Sequence, residues 1–400
     1  MTEVDLSKMI GRQYESFGST IIVVNTDRAF LTHRASWALA IQASGSEVTV
    51  VAADTGFAGA ITDLGIKFVP ADLAAEDLRP LQAIRVMFAI ARTIFRLRPK
   101  RVLLVTSAPY VLGWHMGLFL WRTRFVLVIP GRGRALTDEF RGSIASRVVR
   151  LQLKLARRLR NVSTLFQLDA DRDFFTAESL AASSRAHVIA GTGIDTSRWL
   201  PNLDRDVSSP RVLFASRLVR EKGIFEFVEV ARRLATRTSA DFVVAGEPTA
   251  GVSSSVSEAD LNAWRAEGVV RLLGRSDDMA SVYRDADIFI FPTSHPEGTP
   301  RVLIEAAACG IPAIASLQIG CAAVVEDQVT GLLVDAHDID GLTRATERLI
   351  QDPNLRARMG AAARVRTQSE FSLDAVLSDL FAILGIAGVD GHPHSPGRSR

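Results

Sequence analysis

Short apolar runs alternate with amphipathic segments along most of the chain. Strand–helix–strand alternation of this kind is typical of parallel βαβ units. The sequence therefore predicts an α/β protein built from doubly wound parallel sheets. Strands are predicted at 19–25, 47–52, 66–70, 101–107, 125–131, 162–168, 211–216, 241–247, 269–275, 288–291, 311–315 and at a run ending at Val334. Helices are predicted at 27–45, 81–98, 109–121, 145–160, 169–177, 223–234, 276–286, 300–309, 337–352, 354–368 and 372–388.

A chain of 400 residues is longer than a single hydrophobic core usually accommodates, and its length fits two domains. We expect a Rossmann-like domain over 1–200 and a second over 201–386, with the last helix able to pack on the first domain. The polar stretch 204–210 contains Ser and Pro and predicts a linker. The Gly-, Pro- and Arg-rich residues 387–400 predict a disordered tail.

Hydrophobic content of 48% is ample for burial, and the two cysteines, Cys309 and Cys321, have neither disulfide nor metal spacing. The polar, acidic opening predicts no secretory signal. The apolar run at 109–121 is shorter than the roughly 20 residues that span a bilayer, so it predicts a buried helix. These features indicate a cytoplasmic protein.

Positive charge is concentrated in one part of the chain. The net charge is +3, yet residues 81–160 contain 15 Arg and 2 Lys against Asp138 and Glu139. Basic amphipathic helices at 81–98 and 145–160 suit an anionic membrane surface or nucleic acid. Stacking aromatics do not interleave with these charges and no nucleic-acid-binding fingerprint is present. We therefore expect binding to the membrane surface and none to nucleic acid, with a merely solvated basic face as the alternative.

Two carboxylates flank the predicted start of a helix near residue 300. Glu297 and Glu305 are eight residues apart, and helical rise would separate them by roughly 12 Å. That distance approximates the reach of a nucleotide-sugar from its hexose to its ribose. Backbone amides at a helix N-terminus also bind anions. The alternative is an ordinary loop carboxylate and a solvated helix glutamate.

Two cations follow the strand predicted at 211–216. Arg217 and Lys222 lie at its carboxyl end, where α/β sheets bind ligands. Such a pair suits a diphosphate, whose charge must be offset as it leaves. The alternative is a pair of solvated surface charges.

Two strings of residues strongly resemble the retaining GT-B glycosyltransferases of family 4. They are FASRLVREKG at 214–223 and PEGTPRVLIEAAACGIPAIAS at 296–316. The resemblance covers most of 19–385 and is weak between 55 and 165. It implies the GT-B fold, two Rossmann-like domains facing across a cleft. It also implies that Glu297 contacts the donor sugar, that Glu305 binds the ribose, and that Arg217 and Lys222 neutralise the diphosphate.

The same resemblance extends the predicted site. Gly246 and the string LLGR, which ends at Arg275, resemble the pocket for the nucleotide base. The string NTDRAFLTHRASWALA at 25–40 resembles relatives that build polysaccharides and lipid-linked glycans, which implies that His33 and Arg34 line the acceptor cleft. The alternative for a lone histidine at this turn is a structural role. Arg132 replaces an apolar residue of the relatives and suits an anionic group, unless it is an ordinary surface arginine. The helix start completes the predicted donor site with Gly298, Thr299, Arg301 and Val302.

No acidic pair occurs in the setting where a metal-dependent transferase would place one. Asp277 and Asp278 open a predicted helix with Ser276 as its N-cap, so we expect no metal and no cofactor besides the nucleotide-sugar co-substrate. Two departures leave the donor sugar open. Gly-Cys-Ala-Ala at 320–323 replaces the relatives' Gly-Cys-Arg-Glu, and Ser-His-Pro-Glu-Gly at 294–298 replaces a Tyr-Arg-Glu-Gly pattern.

The expected function is metal-independent transfer of a sugar, with retention, from a UDP-sugar to a glycan or polyprenyl-diphosphate-linked acceptor. Such a reaction belongs to surface polysaccharide synthesis at the inner face of the cell membrane. A nucleotide-sugar epimerase of the same fold is one alternative, which product analysis separates. A non-catalytic nucleotide-sugar-binding scaffold is the other, which the intact carboxylates and cations disfavour.

Overall fold

A computed structural model describes residues 18–73, 80–137, 140, 142–202 and 209–386. Contacts divide the chain into two compact units, the first formed by Met1–Thr192 with Val376–Arg400 and the second by Gly193–Ala375. The division falls at 192/193, eight residues before the boundary expected from the sequence. The polar opening, Asp138 and Glu139, most of the predicted linker and the predicted tail lie outside the described residues.

The first unit contains a seven-stranded parallel sheet of order β3-β2-β1-β4-β5-β6-β7. Its strands are β1 (Ser19–Thr26), β2 (Glu47–Ala53), β3 (Lys67–Pro70), β4 (Arg101–Val105), β5 (Arg124–Ile129), β6 (Val162–Phe166) and β7 (Ala186–Val188). Most strand residues are buried, as expected for a parallel sheet covered on both faces.

Helices cover both faces of this sheet. They are α1 (Asp27–His33), α2 (Ala35–Ala43), α3 (Ala58–Asp63), α4 (Pro80–Leu97), α5 (Ser107–Gly113), α6 (Ile144–Ala156) and α7 (Asp169–Ala177). One core cluster contains residues of α4, α5, α6 and α7, and the other contains residues of α1, α2 and α3. This arrangement confirms the predicted doubly wound architecture of the first unit.

Two helix predictions in this unit were wrong. The helix expected at 27–45 is divided at Arg34, which ends α1 and precedes α2. The helix expected to be buried at 109–121 is instead the short α5 followed by a 3-10 turn at Trp114–Leu118. Phe119 and Trp121, which follow the turn, are exposed. Tyr110, Trp114 and Met116 are buried as expected, so the expectation of burial is wrong only for the end of the run.

The second unit contains a six-stranded parallel sheet of order β10-β9-β8-β11-β12-β13. Its strands are β8 (Arg211–Ala215), β9 (Asp241–Ala245), β10 (Arg271–Gly274), β11 (Ile288–Phe291), β12 (Ala313–Ser316) and β13 (Gly331–Val334). Its helices are α8 (Ile224–Leu234), α9 (Glu258–Glu267), α10 (Met279–Arg284), α11 (Arg301–Ala308), α12 (Ile319–Val324), α13 (Ile339–Gln351) and α14 (Pro353–Arg366). A π-helical turn, Thr367–Phe371, follows α14.

The helix α11 begins one residue later than predicted. Pro300 is its N-cap, with ψ of 113°, rather than its first helical residue, and no side chain caps the first turn. Gly310 adopts φ of 72° after the last turn. The amides of Gly310 and Ile311 donate to Ala307 and Ala306, which is the Schellman pattern and confirms the predicted glycine cap.

The sequence patterns missed two helices of the second unit, α9 and α12, and misplaced the N-cap of α10. The helix α9 was not predicted, although Ser257 and Asp260 form a capping box at its start. Asp278, rather than Ser276, is the N-cap of α10 and accepts from the amide of Ser281. Ser276 instead accepts from the amide of Asp278.

The last helix, α15 (Leu373–Leu384), begins at the end of the second unit and returns the chain to the first. Val376, Leu380 and Leu384 are buried in the core cluster that also contains residues of α1 and α2. Arg101 donates from Nε to the carbonyl of Leu384 at 2.9 Å. Among the described residues, no helix combines the length and the apolar composition needed to cross a bilayer.

Candidate functional site

The strand order of the second sheet reverses between β8 and β11, which are neighbours although they are not consecutive in the chain. Connections from such adjacent strands leave in opposite directions, and ligands of open α/β sheets bind in the resulting crevice. The loop after β8 contains Arg217 and Lys222, and the segment after β11 contains Glu297. Both predicted catalytic cations and the predicted catalytic carboxylate therefore lie around this position.

Lys222 and Glu297 form an ion pair, with the ammonium donating to Oε1 of the carboxylate. Only 13% of the Lys222 side chain and 17% of the Glu297 side chain are exposed, so solvent screens the pair weakly. Thr293 donates to the carbonyl of Glu221 at 2.9 Å, and its Oγ1 lies 3.4 Å from the same Glu297 oxygen. These contacts tie the loop after β8 to the segment after β11.

The backbones of the two segments approach closely at Gly223. Its φ is 82°, and a Cβ there would lie 2.3 Å from the carbonyl oxygen of Pro292. A glycine is therefore required both by conformation and by space. Arg217, in contrast, is exposed. Its carbonyl accepts from the amide of Val219 at 2.9 Å.

Glu305 faces Arg301 on the same side of α11. Nε of Arg301 lies 2.8 Å from Oε1 of Glu305, and the side chain of Glu305 is 12% exposed. Burial raises the pKa of Glu305, and the guanidinium of Arg301 opposes this increase. Tyr283 donates its hydroxyl to the carbonyl of Val302 at 3.2 Å. The predicted ribose-binding carboxylate is thus held in place by a neighbour of its own helix.

A glycine of α12 supports the turn at Glu297 and Gly298. A Cβ on Gly320 would lie 1.9 Å from the carbonyl oxygen of Gly298 and 2.4 Å from that of Glu297. Burial raises the pKa of the neighbouring Cys321 thiol to about 11. The two alanines that follow, Ala322 and Ala323, carry no charge, and the turn is in close backbone contact with Gly320.

Gly246 and Gly274, from the predicted base pocket, are in close backbone contact. Gly246 follows β9 with φ of 150°, and a Cβ there would lie 1.9 Å from the carbonyl oxygen of Ser216. Its amide donates to the carbonyl of Gly274 at 2.8 Å. Arg275 is exposed and lies 3.7 Å from Glu247. Thr299 is partly buried in the turn before α11.

The predicted acceptor residues of the first unit lie in three different environments. His33 is exposed at the end of α1, whereas Arg34 is 3% exposed and stacks on Trp37 at 4.4 Å. Burial lowers the pKa of Arg34 to about 10. Arg132 donates to the buried carboxylate of Asp171 at 2.9 Å. The anionic partner of Arg132 in this structure is therefore a residue of α7.

Sequence reasoning missed two residues at the switch point of the first sheet, between β1 and β4. Thr106 donates to Oδ1 of Asn25 at 2.6 Å and has φ of 71°, which is unusual for a residue with a β-branched side chain. Such strained backbone is often found at functional sites. Their positions at the carboxyl ends of the strands predicted at 19–25 and 101–107 are the signal that would have identified them.

Asp27 was also missed, and it organises the loop after β2. Its buried carboxylate accepts from the amides of Thr55 and Phe57, each at 2.8 Å, and from the Thr55 hydroxyl. Burial alone would raise the pKa of Asp27, but these hydrogen bonds outweigh burial and lower it.

Within the ranges that the structure describes, no three His, Cys, Asp or Glu side chains are grouped to hold a metal ion. The adjacent Asp277 and Asp278 do not act together. Asp278 caps α10, and Asp277 lies 3.9 Å from Arg275.

Comparison with known proteins gives matches over both units. The family model of glycosyl transferases group 1 matches residues 195–366. The chain is 25% identical over 331 residues to the N,N'-diacetylbacillosaminyl-diphospho-undecaprenol alpha-1,3-N-acetylgalactosaminyltransferase of Campylobacter jejuni, covering 79% of this chain and 85% of that protein. It is 31% identical over 215 residues to a GDP-mannose-dependent monoacylated alpha-(1-6)-phosphatidylinositol monomannoside mannosyltransferase of Corynebacterium glutamicum, covering 48% and 54% of the two chains.

Solved structures share the fold at lower identity. HepE of Anabaena, crystallised with UDP, superposes with a TM-score of 0.75 at 18% identity, covering 92% of this chain and 99% of that chain. Sucrose-phosphate synthase of Thermosynechococcus elongatus gives a TM-score of 0.71 at 16% identity, covering 90% and 97%. The group 1 domain, these named relatives and the two parallel sheets together identify the protein as a glycosyltransferase enzyme with the GT-B fold.

Proposed function

We propose that the protein is a retaining, metal-independent glycosyltransferase of family 4 that uses a UDP-sugar. The acceptor is a glycan or a polyprenyl-diphosphate-linked saccharide of surface polysaccharide synthesis. The relative from Campylobacter jejuni is named for an undecaprenol-diphosphate-linked acceptor, and HepE was crystallised with UDP. These names support the two substrate classes.

The ion pair of Lys222 and Glu297 at the switch point is the observation that most strongly supports this proposal. Donor binding brings a diphosphate to Lys222 and Arg217, whose positive charges offset the charge that grows as the bond to the sugar breaks. Lys222 is already held by the largely buried Glu297, so little reorganisation precedes the reaction. At the other end of the segment, Glu305 exchanges its contact with Arg301 for hydrogen bonds that it accepts from the ribose hydroxyls.

The proposed reaction breaks the bond between the anomeric carbon and the diphosphate oxygen. The acceptor hydroxyl oxygen bonds to the same carbon from the same face, which retains configuration. The acceptor proton passes to the departing phosphate oxygen, so UDP leaves with the bonding electrons. The first turn of α11, which no side chain caps, lies close to Glu297 in the chain and contributes to anion binding.

We further propose that the enzyme works at the inner face of the cell membrane, with the basic helices α4 and α6 directed at anionic lipid. Exposed arginines on both helices support this placement.

A panel of nucleotide-sugars tests the proposal, scored first by thermal shift and then by turnover on membrane extract with and without EDTA. We expect a UDP-sugar to raise the Tm and to be consumed equally in EDTA, with the product anomer matching the donor by NMR. Donor hydrolysis or epimerisation without transfer would instead indicate the epimerase alternative. Absence of any nucleotide binding would contradict the enzymatic proposal.

A further inference from the structure

The helix α4 has apolar side chains on two of its sides. Val86, Ile90 and Ile94 are buried in the core. Ile84, Phe88 and Phe95 are exposed, and at 3.6 residues per turn their spacings of four and seven place them on a common side. A surface helix of a globular protein normally has a single apolar side, so this second stripe is not explained by packing within the unit.

The helix α6 repeats this arrangement. Leu153 and Ala156 are buried in the same core cluster. A second stripe is exposed at spacings of four, three and four residues, which again share one side of the helix. Its members are Ile144, Val148, Leu151 and Leu155.

An aromatic corner lies after the 3-10 turn that follows α5. Phe119 is 66% exposed and Trp121 is 69% exposed, whereas the other four tryptophans of the chain are almost fully buried. The ring of Phe119 lies 6.0 Å from that of Phe95 on α4. Trp114 donates to Gln152 of α6 at 2.9 Å. These contacts connect the corner to both helices within the first unit.

Basic side chains border the two exposed stripes and the corner. Exposed cations on α4 and α6 include Arg85, Arg92, Arg96, Arg147 and Lys154, and the exposed Arg158 follows α6. The guanidinium of Arg122 lies 4.6 Å from the ring of Trp121. Between residues 80 and 160 the sequence has two acidic residues, Asp138 and Glu139, and both lie outside the described residues. An occupant of this surface must therefore accept apolar groups at its centre and offer negative charge around them.

We propose that this insertion face, formed by the exposed stripes of α4 and α6 together with Leu118, Phe119 and Trp121, enters the headgroup region of an anionic bilayer. Tryptophan and phenylalanine prefer that depth, and apolar burial adds to the attraction between arginine and anionic lipid. The sequence predicted binding to the membrane surface by basic amphipathic helices, with 109–121 buried. The structure shows that the end of that run is exposed, which adds an aromatic corner to the proposed surface.

Charge and shape favour lipid over two other occupants. A second copy of the chain would place like-charged borders against each other across a symmetric contact. Nucleic acid would contact the arginines and the exposed aromatic rings, but it would leave the aliphatic stripes exposed to water. The inference rests on the proposed function for its biological purpose and concerns residues outside the donor site.

Trp121 provides the test because it is the exposed tryptophan of the five. Vesicles of phosphatidylcholine with phosphatidylglycerol should shift its emission to the blue, and brominated lipids should quench it. The variant Phe88→Ser/Phe119→Ser retains Trp121 and should bind these vesicles about tenfold more weakly. Val365→Ser removes a side chain that is 65% exposed on α14 and should bind as the wild type does.

Three outcomes would overturn insertion. The double variant could bind vesicles as tightly as the wild type and lose that binding in about 0.5 M salt. This result would indicate adsorption by charge alone. A blue shift of Trp121 emission without vesicles, together with self-association in sedimentation, would indicate that a second copy of the chain covers the face. A shift caused by a single-stranded oligonucleotide and not by vesicles would indicate nucleic acid. UDP binding is measured on the same samples, so failure of the proposed function is recorded separately from failure of insertion.

Discussion

Lys222 and Glu297 are 75 residues apart in the chain, and the ammonium of one donates to the carboxylate of the other. Each follows a strand of the second sheet, β8 and β11, which are paired in parallel register. Their contact is therefore fixed by strand pairing rather than by local sequence. A donor diphosphate would meet a lysine whose position is already set, which is the preorganisation that electrostatic catalysis requires.

Replacing Lys222 tests this relationship directly. We expect Lys222→Ala to lower turnover about 10²- to 10³-fold, because the charge of the leaving diphosphate is no longer offset. The unpaired Glu297 should also lower the free energy of unfolding by about 1–3 kcal/mol. Steady-state kinetics and urea unfolding measure the two effects. Arg220→Ala removes a neighbouring exposed cation and should leave turnover nearly unchanged; equal losses in both variants would show that Lys222 has no particular role.

Replacing Glu305 should raise the stability of the protein and weaken its binding of UDP. Its pKa is raised by burial, so its ionisation destabilises the fold as the pH rises above the ordinary value for glutamate. Glu305→Gln removes this cost and should raise the Tm at pH 7, while UDP affinity falls about 10- to 100-fold because the ribose loses a charged acceptor.

Calorimetry with UDP and thermal unfolding at pH 5 and pH 8 provide the measurements for Glu305. The matched control is Glu258→Gln, an exposed glutamate at the start of α9, which should change neither quantity. Unaltered UDP affinity in Glu305→Gln would remove this residue from the proposed donor site.

Gly320 should be intolerant of any side chain. In Gly320→Ala the new Cβ would overlap the carbonyl oxygens of Gly298 and Glu297, so the turn must shift. We expect a loss of about 1–3 kcal/mol in unfolding free energy together with a loss of turnover. Gly59→Ala, in α3, has no atom within 4 Å of its Cβ and should instead stabilise the protein by up to about 1 kcal/mol. A fully active Gly320→Ala would mean that the turn is not held as described.

Asp27 should contribute to the pH dependence of stability. Because its pKa is lower in the folded protein than the ordinary value of 3.8, its stabilisation is complete above about pH 4. That stabilisation is lost as the pH falls through the lowered pKa. In urea unfolding, we expect Asp27→Asn to be about 1–2 kcal/mol less stable than the wild type at pH 7. Between pH 7 and pH 2.5 the free energy of unfolding should fall more steeply for the wild type than for this variant.

The exposed Asp63 of α3 supplies the control for this series. The unfolding free energy of Asp63→Asn should depend on pH as that of the wild type does. If the unfolding free energy of Asp27→Asn also fell as steeply in acid, the role of the Asp27 carboxylate would be contradicted.

Much of the architecture could be predicted from local sequence. Apolar runs such as that of β11 and amphipathic runs such as that of α8 have the lengths and periods of buried strands and half-buried helices. The glycine after α11 was identified as its cap because few other residues adopt φ of 72° there. The candidate donor residues were identified from their positions after strands and from the resemblance to family 4.

Other features depended on contacts distant in the chain. The reach of 12 Å between Glu297 and Glu305 assumed a continuous helix, but only Arg301–Ala308 is helical, so helical rise does not apply to the first steps. The partner of Arg132 could not be foreseen, because Asp171 comes from another helix. Thr106 and Asn25 are brought together by the pairing of β1 with β4.

The sequence by itself determined the periodic elements, the two parallel sheets and the residue types available for binding a diphosphate and a ribose, because these depend on local periodicity and side-chain chemistry. Only the tertiary structure decided which of those side chains meet and which apolar residues stay exposed. Burial depends on what lies opposite a side chain in the folded chain. For that reason the aromatic corner at Phe119 and Trp121 looked like core in the sequence and lies on the surface of the fold.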